Sequence, residues 1–224
     1  LQARFAGDKG KPGVYLCHVV CELGATPLVE GLGWVREFLE THPDEVLVLF
    51  LEDAISPEDT ARAFEEAGLV RYAYVHRPGT PFPTLRQMIE ADKRLFVMAE
   101  VDNGRGAIPW YHAGFRLTQE TPYTFNSAKE LARRSSCAPN RGGVNSPLFQ
   151  LNHWIEQIPR SPDTAGKVNA FKFLLGRARE CGEVRGLLAN LLAVDYYDRG
   201  DVLEVARVLN GLPRDAQPRV RVRE

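Results

Sequence analysis

The apolar run at residues 45–51 (EVLVLFL) restricts the fold of this sequence more than any other feature. A near-continuous apolar stretch of this kind is typical of a parallel β-strand that is buried on both faces. A helical pattern over residues 28–40 precedes the run, and a second helix is predicted to begin at Ser56-Pro57. Because a strand here lies between two helices, the sequence predicts a parallel sheet, either open or closed into a barrel.

The alternation continues through the rest of the chain. Five further strands are predicted, at residues 13–18, 94–99, 115–118, 148–151 and 191–194. Helix caps are predicted at Ser56, at Thr84 with Gln87, at Ser161 and at Asp201. An eight-stranded barrel takes about 250 residues, so six strands in 224 residues fit an incomplete one. We therefore predict an α/β fold, a (β/α)8 TIM-type barrel without its first two strands, over residues 1–212, followed by a flexible tail at 213–224.

Charge and hydropathy disfavour several classes of protein. The chain has 28 basic and 29 acidic residues, so it has no excess positive charge to neutralise a nucleic-acid backbone, and we expect no nucleic-acid partner. No run of about 18 apolar residues predicts a membrane-spanning helix. The glycine-rich loops of nucleotide-binding folds are absent. The chain begins at Leu1 rather than Met, and we expect it to be part of a processed or longer protein.

The four cysteines, Cys17, Cys21, Cys137 and Cys181, permit three disulfide pairings, and the sequence alone does not choose among them. Proximity along the chain favours Cys17–Cys21 together with Cys137–Cys181. Four reduced and partly buried thiols are an equally weighted alternative. The Cys17-x-x-x-Cys21 spacing does not match a zinc knuckle.

Titratable or amide side chains stand at the ends of nearly all the predicted strands. These residues are His18, Glu52, Asp53, Glu100, Gln119, Glu120, Asn152, His153, Asp195 and Tyr196. In a (β/α) barrel the carboxyl ends of the strands carry the chemistry, and a ring of polar groups there indicates a pocket. We expect the strand ends at His18, Glu52, Glu100, His153 and Asp195 to converge on one pocket.

Each of these residues also has a purely structural interpretation. A single histidine such as His18 is more often hydrogen-bonded within the fold than catalytic. Glu52 and Asp53 are suited to capping the next helix, and His153 to packing in a loop. Asp195 is suited to pairing with Arg199.

Several short segments resemble one enzyme family when they are taken in order. VYLCH at 14–18, with LGATPL at 23–28, resembles the third-strand segment of the phosphatidylinositol-specific phospholipase C X domain, and PDEVLVLFLED at 43–53 is similar to its fourth strand. The later segments QETPY at 119–123, SCAPNRG at 136–142, LNHW at 151–154 and AVDYY at 193–197 resemble a bacterial branch of these phosphodiesterases. The resemblance extends from about Gly13 to Asp201.

This resemblance implies a specific chemistry. Family members cleave a phosphodiester with two histidines from two strand ends: one takes the proton of the attacking inositol hydroxyl, and the other protonates the departing alkoxide. His18 matches the second histidine, and its ordinary pKa of about 6.5 suits proton transfer near neutral pH. Asp195 matches the last-strand carboxylate region, which orients the first histidine. We expect Glu100, Gln119, His153 and Tyr196 to bind the substrate.

The resemblance also implies a cation. Glu52 matches a position that ligates calcium in eukaryotic members, whereas bacterial members often use an arginine or lysine charge instead. The resemblance therefore leaves two alternatives, a calcium ion held by Glu52 or no cofactor. The sequence differs from the family pattern at two points. The first histidine is expected upstream of Leu1, and Val19 replaces the glycine that commonly follows the second histidine. The chain as given therefore holds half of an acid–base pair, and we expect it to be inactive alone.

The expected partners are a phosphodiester or phospholipid head group and a transient membrane surface, and the expected location is extracytoplasmic. A metal-dependent glycerophosphodiester phosphodiesterase on a similar barrel is one alternative. A non-catalytic barrel that serves as a binding module is another.

Overall fold

The computed structural model describes residues 2–8, 11–17, 21 and 24–214. The chain divides into two compact units, Leu1–Gly114 and Phe115–Glu224, each with its own sheet. Residues 18–20 and 22–23, around the predicted catalytic histidine, lie outside the described residues, as does most of the predicted tail.

The first unit contains a six-stranded mixed sheet in the order β3-β2-β1-β4-β5-β6. Its strands are β1 (Gln2–Asp8), β2 (Lys11–Leu16), β3 (Thr26–Pro27), β4 (Leu47–Ala54), β5 (Leu95–Ala99) and β6 (Tyr111–Ala113). Strands β1, β4, β5 and β6 are parallel neighbours, as the alternating pattern predicts. All five residues of β5 are buried.

The predicted all-parallel sheet is wrong at the start of this unit, because β1 and β2 pair antiparallel and β2 and β3 do the same. Only two residues separate β1 from β2 along the chain. A parallel pairing needs a crossover of a dozen or more residues, so strands this close in sequence pair antiparallel.

Helices α1 (Leu28–Thr41), α2 (Pro57–Glu66) and α3 (Leu85–Glu90) complete the first unit. The caps predicted for α2 and α3 are confirmed: the Ser56 side chain accepts from the backbone N–H of Asp59, and Thr84 forms a capping box with Gln87. Leu28, Leu32 and Leu39 of α1 are fully buried in the core of this unit. Burying a leucine side chain contributes about 1.5–3 kcal/mol, so this apolar stripe holds α1 against the sheet.

The second unit contains a three-stranded parallel sheet in the order β7-β8-β9. Its elements are α4 (Gly114–Leu117, which begins at the boundary), β7 (Thr118–Glu120), α5 (Ala128–Leu131), β8 (Leu148–His153), α6 (Pro162–Val168), α7 (Phe171–Arg185), β9 (Leu191–Val194) and α8 (Val202–Leu209). Phe149 and Leu151 of β8 pack with Leu174 of α7 and Val205 of α8.

Three sequence-based expectations are wrong in this unit. Residues 115–118 fall mainly in the helical turn α4 and not in a strand. The single long helix expected from Ser161 is two helices that break at Asn169 and Ala170, although the cap at Ser161 is confirmed. Asp201 does not cap α8 with its side chain; its Oδ2 accepts from the backbone N–H of Phe171 at the start of α7.

The predicted TIM-type barrel is wrong. Among the described residues the strands form two open sheets and no closed eight-stranded ladder. Closure requires every strand to bond to two neighbours, but the sheets end at β6 and β7, which have three residues each. The helical turn α4 stands between these strands along the chain, and its residues do not extend either ladder. None of the described helices is long and apolar enough to cross a membrane.

Candidate functional site

His18 lies outside the described residues, so its predicted role as general acid stays a prediction. The cysteines on either side of it are described. Cys17 and Cys21 form a disulfide with their Cα atoms 5.0 Å apart. This disulfide confirms the favoured pairing. It joins Cys17, the residue that follows β2, to Cys21, which comes after His18 along the chain.

Glu52 and Glu100 lie at the carboxyl ends of neighbouring parallel strands. β4 and β5 pair with Leu51 opposite Ala99, and the backbone N–H of Glu100 donates to the Leu51 carbonyl at 2.9 Å. Side chains alternate along a strand, so Glu52 is exposed while Leu51 and Asp53 on either side of it are buried. Two of the predicted site residues therefore stand at adjacent strand ends of the first unit.

Asp53 organises the segment that follows β5. Its carboxylate accepts three backbone N–H bonds, from Glu100 at 2.8 Å, Val101 at 2.9 Å and Asp102 at 2.8 Å. Bonds to an ionised acceptor are about twice as strong as neutral ones. The structural interpretation proposed that Asp53 caps the next helix. Instead, Asp53 fixes the backbone that carries Glu100.

The described residues do not fit a calcium site. Calcium takes about 6–8 oxygen ligands, and no group of three or more His, Cys, Asp or Glu side chains is placed to hold a metal ion in the part of the chain that the structure describes. We therefore assign no reaction step to calcium, and the tentative role of Glu52 as a ligand stays a prediction.

A fully buried carboxylate, that of Glu120 at the end of β7, is the centre of a polar cluster in the second unit. Oε1 accepts from Asn140 Nδ2 at 2.8 Å and from Arg141 Nε at 2.5 Å. Oε2 accepts from Asn152 Nδ2 at 2.9 Å and from Arg141 Nη2 at 3.2 Å. Gln150 Nε2 lies 3.5 Å from the same oxygen. We call Glu120, Asn140, Arg141, Gln150 and Asn152 the Glu120 cluster.

Backbone pairing brings Asn140 and Arg141 to this cluster. The N–H of Glu120 donates to the Arg141 carbonyl and the N–H of Asn140 donates to the Glu120 carbonyl, both at 3.1 Å. The next residue, Gly142, has φ +78°, and a Cβ there would collide with the Thr118 backbone. Only glycine tolerates this close approach. The Arg141 side chain keeps 38% of its surface exposed, so the cluster is accessible from solvent through this guanidinium.

His153 is fully buried at the end of β8, and both ring nitrogens contact protein groups. Nε2 lies 2.9 Å from the Val168 carbonyl and Nδ1 lies 3.3 Å from Nη1 of Arg177. Because arginine only donates, Nδ1 accepts and Nε2 carries the proton. Burial, opposed in part by the bond to Val168, lowers the pKa of His153 to about 4, so the ring is neutral near pH 7. Its predicted substrate-binding role stays a prediction.

A small open cleft lies beside His153, and Asp195 and Asn169 also line it. Asp195 Oδ2 accepts a hydrogen bond from Arg160 Nη1 at 2.6 Å. Asp195 therefore pairs with Arg160, whereas the sequence suggested an ion pair with Arg199. The hydroxyl of Tyr196 lies 3.4 Å from the Arg160 carbonyl. Two predicted site residues, His153 and Asp195, thus line one cleft in the second unit.

Gln119 is not among the residues that line this cleft, and both ends of its side-chain amide bond to other protein groups. Nε2 donates to the carbonyls of Val144 at 3.0 Å and Ser146 at 2.8 Å, and Oε1 accepts from Arg185. A role for Gln119 in substrate binding stays a prediction, as does the convergence of all five predicted strand ends on one pocket.

Sequence reasoning assigned no role to two arginines that the structure makes prominent, Arg141 and Arg177. Arg141 stands in the segment SCAPNRG, which was quoted for the family resemblance, and nothing else in the sequence singles it out. Arg177 lies on the same face of α7 as Leu174, Ala178 and Cys181, so a charge in an apolar helical stripe was the available signal. It donates to Ser136, Asn152 and His153, all within the second unit.

Comparison with known proteins identifies the class. The family model for PI-PLC X, described as "PI-PLC X 1", matches residues 1–210, so the chain belongs to the PI-PLC X domain family. It is 26% identical to a "PI-PLC X domain-containing protein 1" of the fungus Arthroderma benhamiae, over 91% of this chain and 72% of that protein. It is 24% identical to an "Uncharacterized secreted protein" of the same fungus, over 89% of this chain and 50% of that protein.

A plant protein gives a similar match. The chain is 28% identical to a "PI-PLC X domain-containing protein" of Arabidopsis thaliana, over 88% of this chain and 49% of that protein. The chain therefore spans about half the length of two of these relatives. All three relatives are eukaryotic, so the expected bacterial branch stays a prediction. No solved structure matches the chain significantly.

Proposed function

We propose that this chain belongs to a phosphodiesterase that acts on phosphatidylinositol-like substrates by histidine general acid–base catalysis. Its membership of the PI-PLC X domain family supports the reaction class. The observation that carries the proposal within the chain is the Glu120 cluster, a buried carboxylate that fixes a partly exposed arginine at a strand end.

In the proposed reaction a hydroxyl of the inositol ring attacks the phosphorus next to it. A bond forms between that oxygen and phosphorus, and the bond from phosphorus to the glycerol oxygen breaks. His18 gives its proton to the departing oxygen, and a histidine upstream takes the proton of the attacking hydroxyl. The products are a cyclic phosphodiester and an alcohol. General acid catalysis of this kind contributes about 10²- to 10⁴-fold.

Arg141 is the group of the Glu120 cluster that is best suited to the substrate phosphate. Its guanidinium carries a permanent positive charge, which attracts the negative charge of a phosphate. Its Nε and Nη2 bond to Glu120, and its carbon lies 4.3 Å from the Phe115 ring centre and 5.0 Å from that of Tyr123. These contacts hold the arginine before substrate arrives, which reduces the cost of ordering it.

The remaining roles rest on the family resemblance. We propose that Asp195 orients the upstream histidine, and that Glu100 and Tyr196 contact the inositol ring. An extracytoplasmic location is supported by the two disulfides and by the similarity to a secreted fungal protein. A phospholipid substrate would also require transient contact with a membrane surface.

The test is a turnover assay on the chain and on the same protein extended upstream. Phosphatidylinositol and glycerophosphoinositol are offered with and without a chelator, and products are followed by phosphorus NMR. We expect a cyclic phosphodiester, and we expect Arg141→Gln to lower kcat/KM by at least about tenfold. Arg134→Gln is the matched control, since Arg134 pairs with the exposed Glu180 instead of Glu120.

Two outcomes would contradict the proposal. Phosphate monoester products that disappear with the chelator would indicate the metal-dependent glycerophosphodiesterase. Binding of inositol phosphates without turnover by the extended protein would indicate a non-catalytic binding module.

A further inference from the structure

The first unit contains two buried histidines to which the proposed function gives no role. His76 is 7% exposed and His112 is 8% exposed. Their ring centres lie 6.4 Å apart, with the ring planes at 80° to each other. His112 belongs to β6, whereas His76 belongs to the stretch that leads into α3. We call residues 75–83 the His76 segment.

The His76 segment is attached to the rest of the unit by few contacts. His76 stacks on Phe82 of the same segment with ring centres 4.0 Å apart, and Phe82 packs edge-on against Phe96 of β5 at 5.6 Å. Among the described residues, the backbone of the segment has one contact of hydrogen-bond length with another element, from His76 N to His112 Nε2 at 3.4 Å. Val75 and residues 77–81 are exposed. The rings of His76 and Phe82 therefore anchor the segment.

Neither histidine ring pairs with a carboxylate in the part of the chain that the structure describes. The titratable groups that face the two rings are each other and Tyr74, whose hydroxyl lies 3.4 Å from His76 Nδ1. Strand β5 has no charged residue, Tyr111 of β6 points to the core on the opposite face, and Arg77 is exposed. Burial lowers the pKa of both histidines, so both rings are neutral near pH 7.

A second proton on either ring is poorly accommodated while the segment is in place. His112 Nε2 lies 3.1 Å from the Tyr74 carbonyl, closer than to the His76 nitrogen, so it donates to that carbonyl. His112 Nδ1 has no hydrogen-bond partner among the described residues. Two charged rings with centres 6.4 Å apart would repel each other at a buried position without a counter-ion. Movement of the His76 segment away from the sheet would return both rings to water.

We propose that His76 and His112 form a pH-sensitive switch, which holds the His76 segment on β5 and β6 while both rings are neutral and releases it when they are protonated. Between the ordinary histidine pKa of about 6.5 and the lower values of the closed form, the open form binds protons that the closed form does not. A fall in pH therefore favours opening, by about tenfold per pH unit for each proton taken up. Opening exposes Phe96 and His112. This inference goes beyond the proposed function and does not rest on it.

The experiment measures backbone hydrogen exchange by NMR from pH 7 to pH 5, corrected for the intrinsic pH dependence of amide exchange. The amide of residue 76 reports opening of the segment, and the amides of Leu32 and Leu39 in α1 report unfolding of the unit, because both side chains are fully buried. We expect the opening constant at residue 76 to exceed those in α1 at every pH, and to rise by about tenfold or more per pH unit as the pH falls. The ring signals of His76 and His112 should titrate below about 6.5.

Variants separate the switch from the anchor. His76→Gln and His112→Gln each remove one titrating ring, so each should reduce the slope of the logarithm of the opening constant against pH by about half. Phe82→Leu weakens the anchor without removing a titratable group, so it should raise the opening constant at every pH and leave the slope unchanged. His42→Gln is the matched control, because His42 is exposed at the end of α1, and it should change neither quantity.

Three results would overturn the inference. One is an opening constant at residue 76 that does not change with pH. Another is equal opening constants at residue 76 and in α1, which would mean that acid unfolds the unit as a whole. The third is an unchanged slope in both His76→Gln and His112→Gln, which would assign the pH dependence to other groups.

Discussion

Nη1 of Arg177 donates to Nδ1 of His153 across 3.3 Å, so a buried arginine holds a buried histidine in one neutral tautomer. The same guanidinium donates to the Asn152 carbonyl at 2.8 Å and to the Ser136 carbonyl at 3.1 Å. Burial lowers the pKa of Arg177 to about 10. The pair fixes the end of β8, where Asn152 on one face joins the Glu120 cluster and His153 on the other borders the cleft.

The first prediction concerns the pH dependence of stability. Between the ordinary histidine pKa of about 6.5 and the folded value of about 4 for His153, the unfolded chain binds a proton that the folded chain does not. Unfolding therefore takes up a proton, and stability falls as the pH falls through this window, by about 3 kcal/mol in total. Urea unfolding from pH 7 to pH 4 measures it.

In His153→Gln this component of the pH dependence should be lost, even though the variant is less stable throughout. His42→Gln changes a histidine that is exposed at the end of α1, and it should keep the wild-type dependence. An unchanged slope in His153→Gln would contradict the buried neutral histidine.

The second prediction concerns the Glu120 cluster. Glu120→Gln replaces one acceptor oxygen by an amide donor that faces the donors of Asn140, Arg141 or Asn152. We expect the free energy of unfolding to fall by about 2–4 kcal/mol, measured by urea denaturation. Glu180→Gln is the control: Glu180 pairs with Arg134 at 3.5 Å on the surface, and its loss should have little effect. Equal effects would show that the cluster is not a stabilising unit.

The third prediction concerns the disulfide between Cys137 and Cys181, whose Cα atoms are 4.9 Å apart. It closes a loop with a sequence separation of 44 residues, so replacing both cysteines by serine should lower the free energy of unfolding by about 4 kcal/mol in the chain-entropy model. The Cys17 and Cys21 pair closes a separation of only 4 residues, and its removal should cost about half as much. Thermal and urea unfolding of the two double variants tests this order.

The fourth prediction is mechanistic. In the protein extended upstream, His18→Ala should slow cleavage of a phospholipid by about 10²- to 10⁴-fold, because the departing alkoxide loses its proton donor. An aryl phosphodiester, whose leaving group departs without a proton, should be affected much less. Both substrates are compared in wild type and variant, with a melting curve as the control for folding. An equal loss on both substrates would remove His18 from the role of general acid.

The sequence predicted those elements whose structure depends on local interactions. Strands β5 and β9 and helix α1 lie within a residue or two of the predicted bounds, because each has an apolar pattern that determines which face is buried. The caps at Ser56, Thr84 and Ser161 involve residues three positions apart, so their chemistry was visible in the sequence. The favoured disulfide pairs were also the nearest along the chain.

Contacts between distant residues decided the rest. The short motifs resembled a barrel enzyme, but strand pairing is set across the sheet, and the ladders stop at β6 and β7. Asn140 and Arg141 bond to Glu120, although they lie 20 and 21 residues away from it along the chain. Asn169, where a continuous helix was predicted, instead donates to three carbonyls beyond β9. Local propensity determined where helices α1, α2 and α3 and strands β5 and β9 form, because that information lies within a few residues. The partners of each buried polar group were decided by the tertiary structure, because a buried donor or acceptor takes whichever partner the packed chain brings within reach.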